Sequence, residues 1–147
     1  MTTQQKYIGS ICHAIFDTEM VATRFVLALS SAIWALLLWW PGETFGRPTY
    51  NGMAHVMREE AWAFVFLIDA MLQMTIILQQ DFHSRFARYF SSANAALWVF
   101  VVGSMLLSVY PPPAAISAEI VMAVCAVWIW IRPYVLAQGY RRAYSSV

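Results

Sequence analysis

Four long apolar stretches constrain this chain more than any other feature of its sequence. They cover residues 20–40, 61–78, 93–110 and 114–131. Each is about 18 to 21 residues long, and a helix of about that length crosses the roughly 30 Å hydrocarbon core of a bilayer. Because lipid offers no partner to backbone N–H and C=O groups, such segments must be helical. The sequence therefore predicts an all-α integral membrane protein, a four-transmembrane-helix bundle in one polytopic domain.

The overall composition agrees with a bilayer environment. Of the 147 residues, 61% are hydrophobic and only 12% are charged, whereas soluble domains are about half apolar and about a quarter charged. A small soluble globule has too much surface to hide so many apolar side chains. The net charge of +1 gives no basic surface of the kind that nucleic acids require. We therefore expect the lipid bilayer as a partner, and no nucleic acid.

Residues 1–19 precede the first apolar stretch and are themselves patterned. Apolar side chains recur there at helical spacing, namely Tyr7, Ile8, Ile11, Cys12, Ile15 and Phe16. This pattern predicts a short N-terminal amphipathic helix on the membrane surface. An ordinary helical lead-in to the first span is the alternative.

The distribution of basic residues predicts the orientation in the membrane. Seven lie on one side of the predicted spans, namely Lys6, Arg24, Arg85, Arg88, Arg132, Arg141 and Arg142, and only Arg47 and Arg58 lie on the other. Because basic residues favour the cytoplasmic side, both termini should be cytoplasmic, including the tail formed by residues 132–147. We expect a multi-pass protein of a cell membrane, by default the bacterial inner membrane.

One polar stripe interrupts the second apolar stretch. Helical spacing places Glu59, Asp69, Gln73 and Gln80 on one side of that helix. Because a charged carboxylate in lipid is costly, the stripe should face the bundle or a partner subunit. Asp69 is then either a proton-carrying carboxyl group or a protonated side chain that bonds to a neighbouring helix. Gln73, one turn away, is its expected partner in both cases.

Other polar residues are predicted at the membrane surfaces. Arg24, Arg58, Glu119 and Arg132 lie near the ends of apolar stretches. The long stem of Arg24 should carry its charge to the cytoplasmic surface. Glu119 should lie near the outer surface, where it either pairs with Arg58 or reaches the lipid headgroups. Ser91 and Ser92 are expected to cap the third helix.

The sequence carries no signature of catalysis. It lacks the glycine motifs that bind phosphate and the elbow that presents a catalytic serine. Its three histidines lie outside the apolar stretches and lack metal-ligand spacing. We therefore expect a non-enzymatic protein with no catalytic residue, no metal and no cofactor.

Three functions fit these features. The first is an accessory or assembly subunit of a membrane complex, or a homo-oligomer, that acts by helix association. The second is a holin-like, phage-encoded protein that permeabilises the membrane. The third is a small proton-coupled transporter that uses Asp69, which at this chain length would require dimerisation.

Overall fold

The computed structural model describes residues 3–40, 44–80, 82, 84–111, 114 and 116–145, with side chains placed from Thr18 to Val135. Five helices follow one another: α1 (Thr3–Trp39), α2 (Asn51–Ala54), α3 (Glu59–Gln79), α4 (Arg85–Ser108) and α5 (Ile116–Ser145). Two short 3₁₀ turns, Thr44–Gly46 and Pro48–Tyr50, precede α2. No strand occurs within these ranges.

Four of the helices are long and apolar enough to cross a membrane. The qualifying segments are Thr18–Trp39, Glu59–Gln79, Arg85–Ser108 and Ile116–Val135. They correspond one to one to the four predicted stretches. The prediction of an all-helical chain with four apolar helices of spanning length is therefore confirmed over the described residues.

The helix boundaries differ from the prediction at several ends. Helix α1 is continuous over 37 residues, so the backbone of the N-terminal segment runs directly into the first span, as in the lead-in alternative. The side chains of its predicted amphipathic face lie outside the described residues. Helix α5 continues to Ser145 with Pro133 inside it, so most of the predicted cytoplasmic tail is helical.

Local chemistry explains where α3 and α4 begin. Glu59 and Glu60 lie in the first turn of α3, where negative charge is stabilised by the positive end of the helix dipole. Helix α4 starts at Arg85 rather than at residue 93, because Ser84 is its N-cap: its hydroxyl accepts a hydrogen bond of 3.0 Å from the Ala87 backbone N–H. The expected capping by Ser91 and Ser92 is therefore wrong, since both lie inside the helix.

The long helices form an antiparallel bundle. Helix α1 contacts α3 and α5, and α4 contacts α5 and α3, so the order around the bundle is α1, α3, α4, α5. The segment between α1 and α3 folds over one end. There the Gly52 backbone N–H donates to Ser108 Oγ at 3.0 Å, and Trp62 Nε1 donates to the Met53 carbonyl at 3.0 Å.

The outer surface of the bundle is strongly apolar. Leu107 is 91% exposed and Leu78 is 77% exposed, an arrangement that burial in lipid makes favourable. Further large apolar side chains share this outward orientation, including Leu36, Leu37, Phe64, Ile68, Met71 and Val124. This surface supports the multi-pass membrane assignment.

Candidate functional site

Six polar side chains meet inside the bundle, and we call them the core polar cluster. Each is at most 5% exposed. They are Arg24 and Ser31 of α1, Asp69 and Gln73 of α3, and Ser91 and Asn94 of α4. Their spacings of seven, four and three residues keep each pair on one face of its helix. Three helices therefore contribute two polar groups each to one buried site.

The guanidinium of Arg24 holds the three helices together. Its Nη1 donates to Gln73 Oε1 at 2.9 Å, and its Nη2 donates to Ser91 Oγ at 2.8 Å. The side chain is 1% exposed. This corrects the expectation that Arg24 extends to the cytoplasmic surface. The early start of α4 brings the Ser91 hydroxyl to the level of Arg24, so its charge finds hydrogen-bond acceptors within the core.

The hydrogen-bond partner of Asp69 is Ser31 on α1, and not Gln73 on its own helix as predicted. Ser31 Oγ on α1 donates to Asp69 Oδ2 at 2.6 Å. Gln73 makes no hydrogen bond to Asp69; its carbonyl oxygen accepts from Arg24. Asp69 and Arg24 are close enough for electrostatic attraction. The Asp69 carboxyl group is thus hydrogen-bonded to a hydroxyl and lies within the electrostatic influence of Arg24.

Asn94 and Trp98 add unused hydrogen-bonding groups beside this cluster. Both side-chain amide atoms of Asn94, Trp98 Nε1 and Arg24 Nε are buried without a hydrogen-bond partner. Buried polar groups nearly always have a partner in proteins, so these four atoms leave hydrogen-bonding capacity for water or a small polar ligand. The predicted third span begins at residue 93 and therefore excludes Ser91. Asn94 lies inside that span but is not among the residues predicted to be part of a site.

Apolar layers close the cluster on both sides. On one side, Trp34, Phe66 and Trp98 form an aromatic layer, with ring centroids 5.4 Å apart for Trp34 and Phe66 and 5.7 Å apart for Phe66 and Trp98. On the other side lie Met20 and Ile76, both buried. The polar groups therefore form an occluded site in the interior of the apolar bundle.

The ends of the predicted stripe on α3 do not join this site. Gln80 is exposed and ends α3 in a left-handed conformation, with φ of 53°. Glu59 is half-buried in the first turn, at the opposite end of the helix. The structure thus brings Asp69 and Gln73 together and separates them from Glu59 and Gln80.

The predicted surface residues also have partners of their own. Arg58 pairs with Glu60 at 3.1 Å, with both side chains exposed, so it is not paired with Glu119. Glu119 is half-buried and lies near Tyr50. Burial, and secondly the Glu119 carboxylate, raise the pKa of the Tyr50 hydroxyl, while Arg47 acts in the opposite direction.

Arg132 is buried rather than exposed to headgroups. It is 4% exposed, and its Nη2 lies 3.5 Å from Glu19 Oε2. Trp128 Nε1 donates to the other oxygen of Glu19 at 3.2 Å. These contacts join α5 to α1 at the end of the bundle where α1 enters its spanning segment.

No metal centre is visible among the placed side chains. Within residues 18–135, as far as they are described, no three His, Cys, Asp or Glu residues lie close enough to hold an ion. His13 and His83 lie outside the described side chains. Comparison with protein families, with curated proteins and with solved structures finds no match to this chain.

Proposed function

We propose that this chain is a small, non-enzymatic, proton-coupled membrane transporter in which Asp69 carries the proton and Arg24 is its counter-charge. The observation that carries the proposal is that two side chains of opposite charge, Arg24 and Asp69, are buried inside four apolar helices and influence each other electrostatically. A buried ion pair is weak evidence of a role in stability, since apolar residues of similar volume often serve as well. Ionisable groups within membrane bundles more often mark proton or substrate paths.

The electrostatic attraction between Arg24 and Asp69 couples protonation to helix packing. When Asp69 accepts a proton, its charge disappears and the attraction to Arg24 on α1 is lost. The contact between α1 and α3 is then weaker, and conformers in which these helices separate become more populated. Asn94 and Trp98 supply further buried hydrogen-bonding groups on α4, to which a water molecule or small polar solute can bind.

The other two functions receive less support from this arrangement. The polar stripe on α3 is predicted to face the bundle or a partner subunit, and its central residues, Asp69 and Gln73, have their hydrogen-bond partners within one chain. An accessory subunit would associate through the apolar outer surface instead. A holin-like pore would require the bundle to open. We keep the cytoplasmic placement of both termini and the bacterial inner membrane as part of the proposal, on the distribution of basic residues.

Proton flux into liposomes tests the proposal. The full chain is reconstituted into potassium-loaded liposomes with an internal pH dye, and valinomycin imposes a membrane potential that drives protons inward. The wild type is expected to acidify the interior faster than empty liposomes do. Asp69→Asn should lower that rate by about a hundredfold or more, in line with the usual effect of removing a proton-transfer group. Leu67→Ala, on the outer face of the same helix, is the matched control.

Each alternative gives a different result. Equal flux for wild type and Asp69→Asn would refute the role of Asp69. Release of a trapped dye molecule by the wild type would indicate permeabilisation. Wild-type flux no greater than in empty liposomes, with a second protein that co-purifies at fixed stoichiometry, would indicate an accessory subunit.

A further inference from the structure

We propose that α4 and α5 form a binding site for one anionic phospholipid, separate from the core polar cluster. The headgroup end of the site is a cavity of about 390 Å³ at the N-terminal end of α4. Its lining combines two arginines with three aromatic residues and a serine, namely Arg85, Arg88, Tyr89, Ser92, Trp130 and Tyr134.

The charges in this cavity are available to a ligand. Arg85 and Arg88 are exposed, and neither is in contact with any carboxylate among the described residues. Guanidinium groups bind phosphate oxygens with paired hydrogen bonds. Tyrosine and tryptophan favour the headgroup level of a bilayer, so Tyr89, Trp130 and Tyr134 place the cavity at that depth. A lipid phosphodiester therefore matches both the charge and the position.

An apolar groove continues from this cavity along the same two helices. Its volume is about 340 Å³, and its lining is almost entirely apolar: Val99, Val102, Ile120, Ala123, Val124, Val127, Trp128 and Ile131. On α4, Val99 follows Ser92 by seven residues, and on α5, Val127 precedes Tyr134 by seven. Seven residues are about two helical turns, so the groove lies on the same face as the cavity. This groove fits an acyl chain.

The combination identifies the occupant as a phospholipid with a negative headgroup. A basic cavity without the groove would fit free phosphate, and the groove without the cavity would fit any lipid chain. Only a molecule with an anionic head and an apolar tail fills both. The basic residues also lie at the end of the bundle that is predicted to be cytoplasmic, where anionic lipids attract juxtamembrane arginines.

Native mass spectrometry of the full chain in mild detergent tests this inference. The protein is titrated with dioleoyl phosphatidylglycerol and, separately, with dioleoyl phosphatidylcholine, which has the same chains and no net charge. We expect one bound phosphatidylglycerol with an affinity about tenfold above that for phosphatidylcholine. Arg85→Gln with Arg88→Gln should remove this preference. Arg47→Gln with Arg58→Gln removes two exposed arginines at the other end and should leave it unchanged.

The groove has its own control. Val99→Trp fills the groove and should lower the affinity for both lipids by about fivefold or more. Leu107→Trp adds the same ring on α4 away from the groove and should have no such effect. Equal loss with both tryptophan variants would refute the acyl-chain part of the site.

Three further results would overturn the proposal. The first is equal affinity of the wild type for both lipids. The second is an equal loss of the preference in both arginine double variants. The third is displacement of phosphatidylglycerol by an equal concentration of inorganic phosphate, which would identify a simple anion site. The phosphate experiment uses the wild type, so it is valid even if a variant fails to fold.

Discussion

Replacing Arg24 by methionine is the sharpest test of the core polar cluster. Methionine is unbranched and of similar length, so it fills most of the space while removing the charge. The variant loses the hydrogen bonds to Gln73 and Ser91, and it leaves Asp69 buried without a counter-charge. Leaving a buried charge without its counter-charge costs about 3 to 5 kcal/mol. We expect the free energy of unfolding to fall by that amount.

A double-mutant cycle with Asp69→Leu separates the charge pair from general packing. Asp69→Leu alone leaves Arg24 without its counter-charge and Ser31 without its acceptor, so its cost should also be about 3 to 5 kcal/mol. The double variant has no unpaired charge, and its cost should be far below the sum of the two single costs. We therefore expect a coupling energy of about 3 kcal/mol, at the upper end of the range for residues in one network.

Unfolding by SDS in mixed micelles, followed by helical circular dichroism, provides the measurement. Leu67→Ala is the control, because Leu67 is 38% exposed on the outer face of α3. In size-exclusion chromatography, Asp69→Leu should also disturb assembly more than Leu67→Ala does. Costs for Arg24→Met and Asp69→Leu that add within about 0.5 kcal/mol would refute the coupling. Equal expression and equal oligomer size for Asp69→Leu and Leu67→Ala would contradict a buried polar role.

Three other perturbations follow from the structure. A Cβ atom on Gly52 would lie 2.9 Å from both Cβ and the carbonyl oxygen of Ser104, whereas a Cβ atom on Gly103 would meet nothing within 4 Å. In thermal unfolding, Gly52→Ala should therefore destabilise the protein by about 1 to 3 kcal/mol, and Gly103→Ala should not. Glu19→Gln should cost about 1 to 3 kcal/mol, between the values for exposed and buried pairs, because the Glu19 side chain is 45% exposed and that of Arg132 only 5%. Burial raises the pKa of the Tyr50 hydroxyl above its ordinary value of 10.0. The stability that the neutral phenol contributes to the fold is therefore complete below pH 10.0 and is lost as the pH rises through the higher pKa of the folded state. Tyr50→Phe should lack this loss of Tm.

The parts of the fold that sequence reasoning predicted are those set by local properties. The length and hydropathy of a segment decide whether it can span a bilayer, and both can be counted along the chain. The buried position of Asp69 also followed from helical periodicity, since a charge in the middle of an apolar helix must avoid lipid. These predictions needed no knowledge of which helix lies opposite which.

The predictions that were wrong concern side chains whose positions depend on a neighbouring helix. Arg24 and Arg132 were expected at the surface because long basic side chains near helix ends usually reach water. Each is instead buried, because another helix supplies an acceptor at its level: Gln73 and Ser91 for Arg24, and Glu19 for Arg132. Ser84 as the N-cap also moved the start of α4 and turned Ser91 inward. Tertiary partners of this kind cannot be read from one helix at a time.

The layers around the core polar cluster also bear on how a proton could reach Asp69. On one side the aromatic rings of Trp34 and Phe66 stack on each other, and Trp34 further contacts Tyr50 edge to face at 5.8 Å. The other side is closed by aliphatic side chains that include Met20, which is flexible and rearranges at low cost. If Asp69 carries a proton, the easier entry is therefore from the Met20 side, past Arg24. Passage beyond the stacked rings requires α1 and α3 to separate, and neutralisation of Asp69 removes the charge attraction that opposes this separation.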